Sequence, residues 1–311
     1  GVRPMRNLFP YFASAITVPV VMTVHEIVAT PFRTADFTGA LKWLSACLSP
    51  WTSRYSSYVN AGMFQRTDCT IVHTGEQRQV LLERGVSEDR VTVIPHGIPP
   101  CRVPSMETAG VAPSLGLEGG RLLTIIGFIS PRKGYELVLA ALARLPDDVV
   151  LVIAGGCRTG DDEAYSRGLR ELVERLGLTR RVVFTGYLGP DQLYSVVKAS
   201  TAVLAPFNAV AGSGTISIAF ASGIPVIASN LPPLVELNES ARAMLLFTAG
   251  SAADLLLKIQ QLLANDRLAG ELKSSALRYA IRNSMTAVAE RTYELYERIL
   301  ERRSQHKVGC Q

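Results

Sequence analysis

The sequence predicts an α/β protein of two domains built on parallel sheets, and three observations carry that reading. Short apolar runs of strand length alternate with helical patterns along nearly the whole chain, the order that βα crossovers require. The 311 residues are enough for two domains of ordinary size. Between the two halves lies PPCRVPSMETAGVAPSLGLEGG, Pro99 to Gly120, whose proline, glycine and serine content marks a linker.

In the first half, strands are expected near Val18 to Val24, Cys69 to Val72 and Val91 to Ile94. A helical region from Phe37 to Arg66 and a helix from Gln77 to Arg84 lie between them. In the second half, strands are expected at Leu122, Val149, Val182, Ala202, Pro225 and Ala243, with helices in the gaps. Three helical segments close the chain: Ala252 to Ala264, Ala269 to Tyr279 and Thr286 to Arg302. No repeat of solenoid period and no low-complexity tract interrupts this order.

Composition narrows the function. With 48% hydrophobic and 19% charged residues, the chain can fill two cores and is not a disordered polymer. The net charge of +5 is spread thinly, and no basic patch interleaved with aromatics suggests nucleic-acid binding. The five cysteines (Cys47, Cys69, Cys101, Cys157, Cys310) are odd in number, scattered and without metal-ligand spacing. They suggest reduced thiols in a cytoplasmic compartment and no zinc site. The apolar segment Leu8 to Val24 contains two prolines and is too short to span a bilayer. Its apolar start, the mild basic charge and the Arg302, Arg303, Lys307 tail point instead to weak peripheral contact with the inner face of a membrane.

Two loops carry the chemistry. In RLLTIIGFISPRKGYELVLAALARL, Arg121 to Leu145, an apolar run breaks at Gly127, and Arg132 and Lys133 sit side by side in a short polar turn. A helix then follows, with Leu137, Val138, Ala141, Leu142 and Leu145 on its buried face. Two cations at the carboxyl end of a strand, beside a helix start, form the arrangement in which α/β sheets bind phosphorylated ligands. Alone, such a loop reads equally well as a solvated basic turn. The second loop, in AVLAPFNAVAGSGTISIAFASGIPVIAS, places Gly212, Ser213, Gly214 and Thr215 at another helix start, where small residues let backbone N–H groups approach a diphosphate. Two anion-ready loops in one sheet are more specific than either.

GFISPRKGYELVLAAL resembles the G-R-L-x-x-x-K-G-x-x-x-L-x-x-A segment of family 4 retaining glycosyltransferases of the GT-B fold. VVLVIAGG, RVVFTGYLGPDQLYSVVKASTAVLAP and ASGIPVIASNLPPLVEL continue the resemblance in the right order. Upstream, PVVMTVHE and CTIVHTGEQRQVLLERGVSEDRVTVIPHGI are similar to the later half of that family's first domain, and SMTAVAERTYELYERIL to its closing helix. The resemblance implies an α/β GT-B architecture of two Rossmann-like parallel-sheet domains facing a cleft. Residues 1–100 with a returning helix at 285–303 would form the acceptor-side domain, 101–120 the linker and 121–284 the nucleotide-sugar domain. Members of the family begin with further strands that have no counterpart here, so the N-terminal domain is expected to be incomplete.

The same resemblance implies transfer of a sugar from a UDP- or GDP-linked donor, without a metal and without a cofactor. Arg132 and Lys133 match the cations that hold the donor's diphosphate, where they would stabilise the charge that grows as the glycosidic bond breaks. Gly127 would permit close approach below them, and Ser213, Gly214 and Thr215 would add donors from the opposite loop. Gly186, Tyr187 and Leu188 match the segment that meets the nucleobase. His25, in TVHE, matches a catalytic-site histidine, although a strand-end histidine also makes single structural hydrogen bonds. His73 and His96 read as structural turn histidines. No D-x-D pair is present to hold a divalent metal.

One departure matters. Aligned on ASGIPVIAS, the family's two donor-binding glutamates fall on Val210 and Ile218. Losing two contacts to charged acceptors, at about 1.5–3 kcal/mol each, would weaken donor binding by about 10²- to 10⁴-fold. Asn208 and Glu236 are the nearest polar replacements. The loss motivates a second reading, a catalytically weakened GT-B relative acting as a binding or assembly subunit.

Overall fold

The computed structural model describes residues 18–24, 64–101, 121–209 and 214–308. The expected linker beyond Cys101, His25 and most of the expected helical region from Phe37 lie outside the described residues. The chain divides into two compact units, Gly1–His96 with Val288–Gln311, and Gly97–Ala287.

In the first unit, three short parallel strands, β1 (Val21–Thr23), β2 (Cys69–Val72) and β3 (Val91–Val93), pair in the order β1-β2-β3. Every residue of β2 is buried, as a strand covered on both faces must be. Cys69 and Ile71 pack with Leu295 and Ile299 of the last helix, here numbered α9 (Met285–Val308). On the other face Val72 meets Phe64, Leu81 and Val86. The helix between β2 and β3, α1 (Gly75–Glu83), starts at Thr74, whose hydroxyl accepts from the Gln77 amide at 3.1 Å. Arg303 of α9 grips Asp68 through two nitrogens at 2.8 Å, and the same carboxylate accepts the Val20 amide at 2.7 Å. One carboxylate thus ties the start of β1 to the end of the chain.

The second unit is a six-stranded parallel sheet. Its strands are β4 (Arg121–Ile126), β5 (Val149–Ala154), β6 (Val182–Gly186), β7 (Ala202–Ala205), β8 (Val226–Ser229) and β9 (Met244–Phe247). They lie in the order β6-β5-β4-β7-β8-β9, so the direction of winding reverses between β4 and β7. Among the described residues seven helices accompany the sheet: α2 (Tyr135–Leu142), α3 (Gly160–Arg175), α4 (Pro190–Ala199), α5 (Gly214–Ala221), α6 (Pro232–Ala241), α7 (Ala252–Leu263) and α8 (Asp266–Arg282). Alternate strand residues feed two separate cores. Leu123, Ile125, Leu151, Ile153, Leu204 and Ile227 pack against α2, α3 and α7. Val203, Ala205, Val226 and Ala228 pack against α5, α6 and α8 through Ile216, Phe220, Leu234 and Ala276. α8 begins three residues before the expected Ala269, because Asn265 caps it by accepting the Leu268 amide at 2.9 Å.

Gly134 joins the polar turn after β4 to α2 in the left-handed region, at φ 64°. A Cβ there would overlap the Pro206 carbonyl oxygen at the end of β7. Only glycine satisfies both the dihedral and the close approach of the two loops. Gly134→Ala is therefore expected to lower unfolding free energy by about 2–5 kcal/mol, the sum of left-handed strain and backbone overlap. Urea denaturation at constant m-value checks it.

Candidate functional site

The site is built where the winding reverses, at the carboxyl ends of β4 and β7. There the chains leaving the sheet part to opposite faces, the position at which open α/β sheets form a ligand crevice. After β4, residues Pro131–Lys133 make one turn of 3-10 helix that carries the two expected cations. After β7, Pro206 to Asn208 lead towards α5. The loops are tied together: the Asn208 amide donates to the Arg132 carbonyl at 2.9 Å and its side-chain nitrogen to the Pro131 carbonyl at 3.1 Å.

The last carbonyl of β4, that of Ile126, is the meeting point. The Lys133 ammonium donates to it from one loop, and the Thr215 hydroxyl from α5 donates to it at 3.1 Å. Lys133 also lies 5.5 Å from the centre of the Phe207 ring. Burial, reinforced by the nearby Arg158 charge, pulls the Lys133 ammonium down to about 8 from its ordinary 10.5. Gly127 stands beside this ammonium at φ 99°, and a side chain there would press on it. Arg132 is exposed. The arrangement therefore offers one sheltered and one exposed cation, beside backbone that can approach an anion closely.

A model of the family described as "Glycosyl transferases group 1" matches residues 112–280, more than half of the chain. The chain belongs to the group 1 glycosyl transferases. A second model, "Glycosyltransferase Family 4", matches residues 4–102. The chain is 29% identical over 229 residues to the D-inositol 3-phosphate glycosyltransferase of Rhodococcus jostii, covering 72% of this chain and 50% of that one. It is 26% identical over 265 residues to the 2-deoxystreptamine glucosyltransferase of Streptomyces kanamyceticus, covering 82% and 64%. The chain thus spans about half the length of the Rhodococcus relative. Among solved structures it is similar to Anabaena Alr3699/HepE in complex with UDP, with a TM-score of 0.78, 19% identity and coverage of 95% of this chain and 77% of that one. Sucrose-phosphate synthase from Thermosynechococcus elongatus gives a TM-score of 0.71 at 24% identity, covering 94% and 70%. These likenesses show the GT-B fold.

The remaining expected residues of this glycosyl transferase fall in different places. Gly186 ends β6 at φ 69°, two strands from β4, with Tyr187 75% exposed beyond it and Leu188 packed on a small core of Leu122, Val152 and Val196. Gly214 and Thr215 open α5, whereas Ser213 and Val210 lie outside the described residues. Ile218 is half-buried on α5 against the core. Asn208, expected as a polar replacement for sugar contacts, instead uses its amide nitrogen to staple the loops. Glu236 lies half-buried on α6. His73 and His96 stack with ring centres 3.6 Å apart, and the His73 ring bonds the Ile94 carbonyl at 2.9 Å.

Sequence reasoning passed over two participants, Phe207 and Arg158. The signal for Arg158 was present: GGCRTG follows a buried strand as GFISPRKG does, with Thr159 capping α3. Among the described residues no helix is long and apolar enough to cross a membrane.

Lys133 sets a pH dependence. In the free protein its charge is lost as pH rises through about 8, whereas a bound anion would hold the proton on. The folded state also binds this proton less tightly than the unfolded chain, so stability from this group grows as pH rises from about 8 to 10.5. Nucleotide affinity should be level below about pH 7.5 and fall beyond 8, with proton uptake on binding near pH 8. Lys133→Arg, which stays charged, should remove the difference between pH 7 and 9. Calorimetry in buffers of different ionisation heat reads both.

Proposed function

We propose that the chain is a retaining glycosyltransferase that moves a sugar from a UDP- or GDP-linked donor to an acceptor hydroxyl, without a divalent metal. The observation that carries this reading is the gathering of Lys133 and Thr215 on the Ile126 carbonyl at the reversal point of the sheet. As the bond from the anomeric carbon to the diphosphate breaks, negative charge grows on the leaving oxygens. Lys133, sheltered from water, and Arg132 beside it interact more strongly with that charge than with the intact donor. Retention and metal independence rest on the resemblance to family 4, together with the lack of a D-x-D pair. Gly186 to Leu188 would meet the nucleobase and His25 the reacting sugars. The names of the two relatives make polyhydroxylated rings the first acceptors to try. Cys69 and Cys157, both thiols, support a reducing cytoplasmic location, with any contact at the inner face of a membrane peripheral.

A second reading, a binding or assembly subunit of weakened activity, is favoured by Ile218, an apolar packing residue where the family carries an acidic donor contact. Calorimetric titration with UDP and GDP separates the two. Micromolar binding of one nucleotide, weakened at least about 100-fold in Arg132→Ala/Lys133→Ala, is the expected result, as two charge-assisted contacts are lost. A folded chain that binds neither nucleotide would move the subunit reading ahead.

A further inference from the structure

Phe128 is 42% exposed in the loop after β4, an unusual place for a large apolar side chain. The neighbouring loop accounts for it. The guanidinium carbon of Arg158, after β5, lies 4.9 Å from the centre of the Phe128 ring. The loops are held side by side, with the Gly127 amide on the Ala154 carbonyl and the Ile129 amide on the Gly156 carbonyl, both at 2.9 Å. A Cβ on Gly155 would overlap the Gly127 oxygen, so the backbones are in direct contact and Arg158 emerges across Phe128.

The guanidinium is held only loosely: its ion pair is a long, exposed one with Asp162, four residues on. The Asp162 carboxylate stands 3.9 Å from its Nε, beyond hydrogen-bond distance, and already accepts the Arg158 backbone amide at 3.1 Å. Among the described residues the Arg158 side chain donates no hydrogen bond, and it is 59% exposed. Its charge is also felt at Lys133. Two like charges kept near one another, one of them partly desolvated, favour an anion between them. Set on Gly127 and Gly134, the pattern G-R-L-x-x-x-K-G puts its lysine on Lys133 and its arginine at position 128, where this chain has phenylalanine; Arg132, expected to match the second cation, falls on a variable position.

We propose that Arg158 is a diphosphate-binding residue, supplying from the loop after β5 the guanidinium that position 128 lacks, with the Phe128 ring as its platform. This rests on the donor-site reading above. The planar fork, set over the ring, can present two donors to two phosphoryl oxygens at once, which a lysine would not match.

Calorimetry with UDP, GDP and inorganic pyrophosphate on the full chain tests it. Arg158→Ala should weaken binding of the preferred nucleotide and of pyrophosphate by about 10- to 100-fold. Melting should be unaffected, because the side chain is more than half exposed. Arg158→Lys should recover little. Phe128→Arg in the Arg158→Ala background, which moves the guanidinium onto the other loop, should recover most of the loss. Wild-type binding with an Arg158→Ala value within about twofold of it overturns this proposal alone, and so does a double variant no tighter than Arg158→Ala. A wild-type chain that binds none of the three probes overturns the proposal together with the donor-site reading.

Discussion

The carbonyl oxygen of Ile126 organises the second unit around it. It is the last acceptor of β4, a central strand, and it lies at the reversal of winding, so no further strand can take it up. A buried carbonyl must find a donor. Here it finds two, the Lys133 ammonium and the Thr215 hydroxyl, brought by loops that leave the sheet in opposite directions. Holding both at one atom requires the loops to touch, which is why Gly134 abuts Pro206 and why Asn208 bonds the carbonyls of Pro131 and Arg132. The fold of the crevice and the placement of its cation are one constraint.

That placement works against the lysine's own charge. Burial strips water from the ammonium, and one carbonyl with the Phe207 ring 5.5 Å away replaces only part of it, so the proton is held less tightly than usual. A group that is costly to charge in the empty protein gains most when an anion arrives, which is how a binding site differs from a structural ion pair. The contrast with Asp68 and Arg303 is instructive. There both charges are satisfied within the protein by a two-point contact, and the result is a clasp in the first unit rather than a site.

The small residues around the crevice have a common cause. The loops after β4 and β5 pack backbone to backbone at Gly127 and Gly155, leaving no volume for side chains at their base. Side chains that emerge beyond this contact, Phe128 and Arg158, then meet each other.

Much of this was legible in the amino-acid order. The four inner strands of the second unit are buried on both faces and read as apolar runs; the helix after Gly134 showed its face through Val138, Ala141 and Leu142. The glycines and the Arg132–Lys133 pair marked the loop that the structure puts at the reversal point. These are local signals, because burial period and turn chemistry are written within a few residues of one another. What tertiary structure alone decided is which loops meet. Strand order brings β7 beside β4, across 76 residues between the hydrogen-bonded Thr124 and Ser200, and nothing near either residue records that pairing. So the sharing of Ile126 by Lys133 and Thr215, the use of Asn208 as a staple, and the stacking of Arg158 on Phe128 became visible only in three dimensions. Each depends on the close approach of segments distant in sequence, and sequence patterns carry period, not proximity.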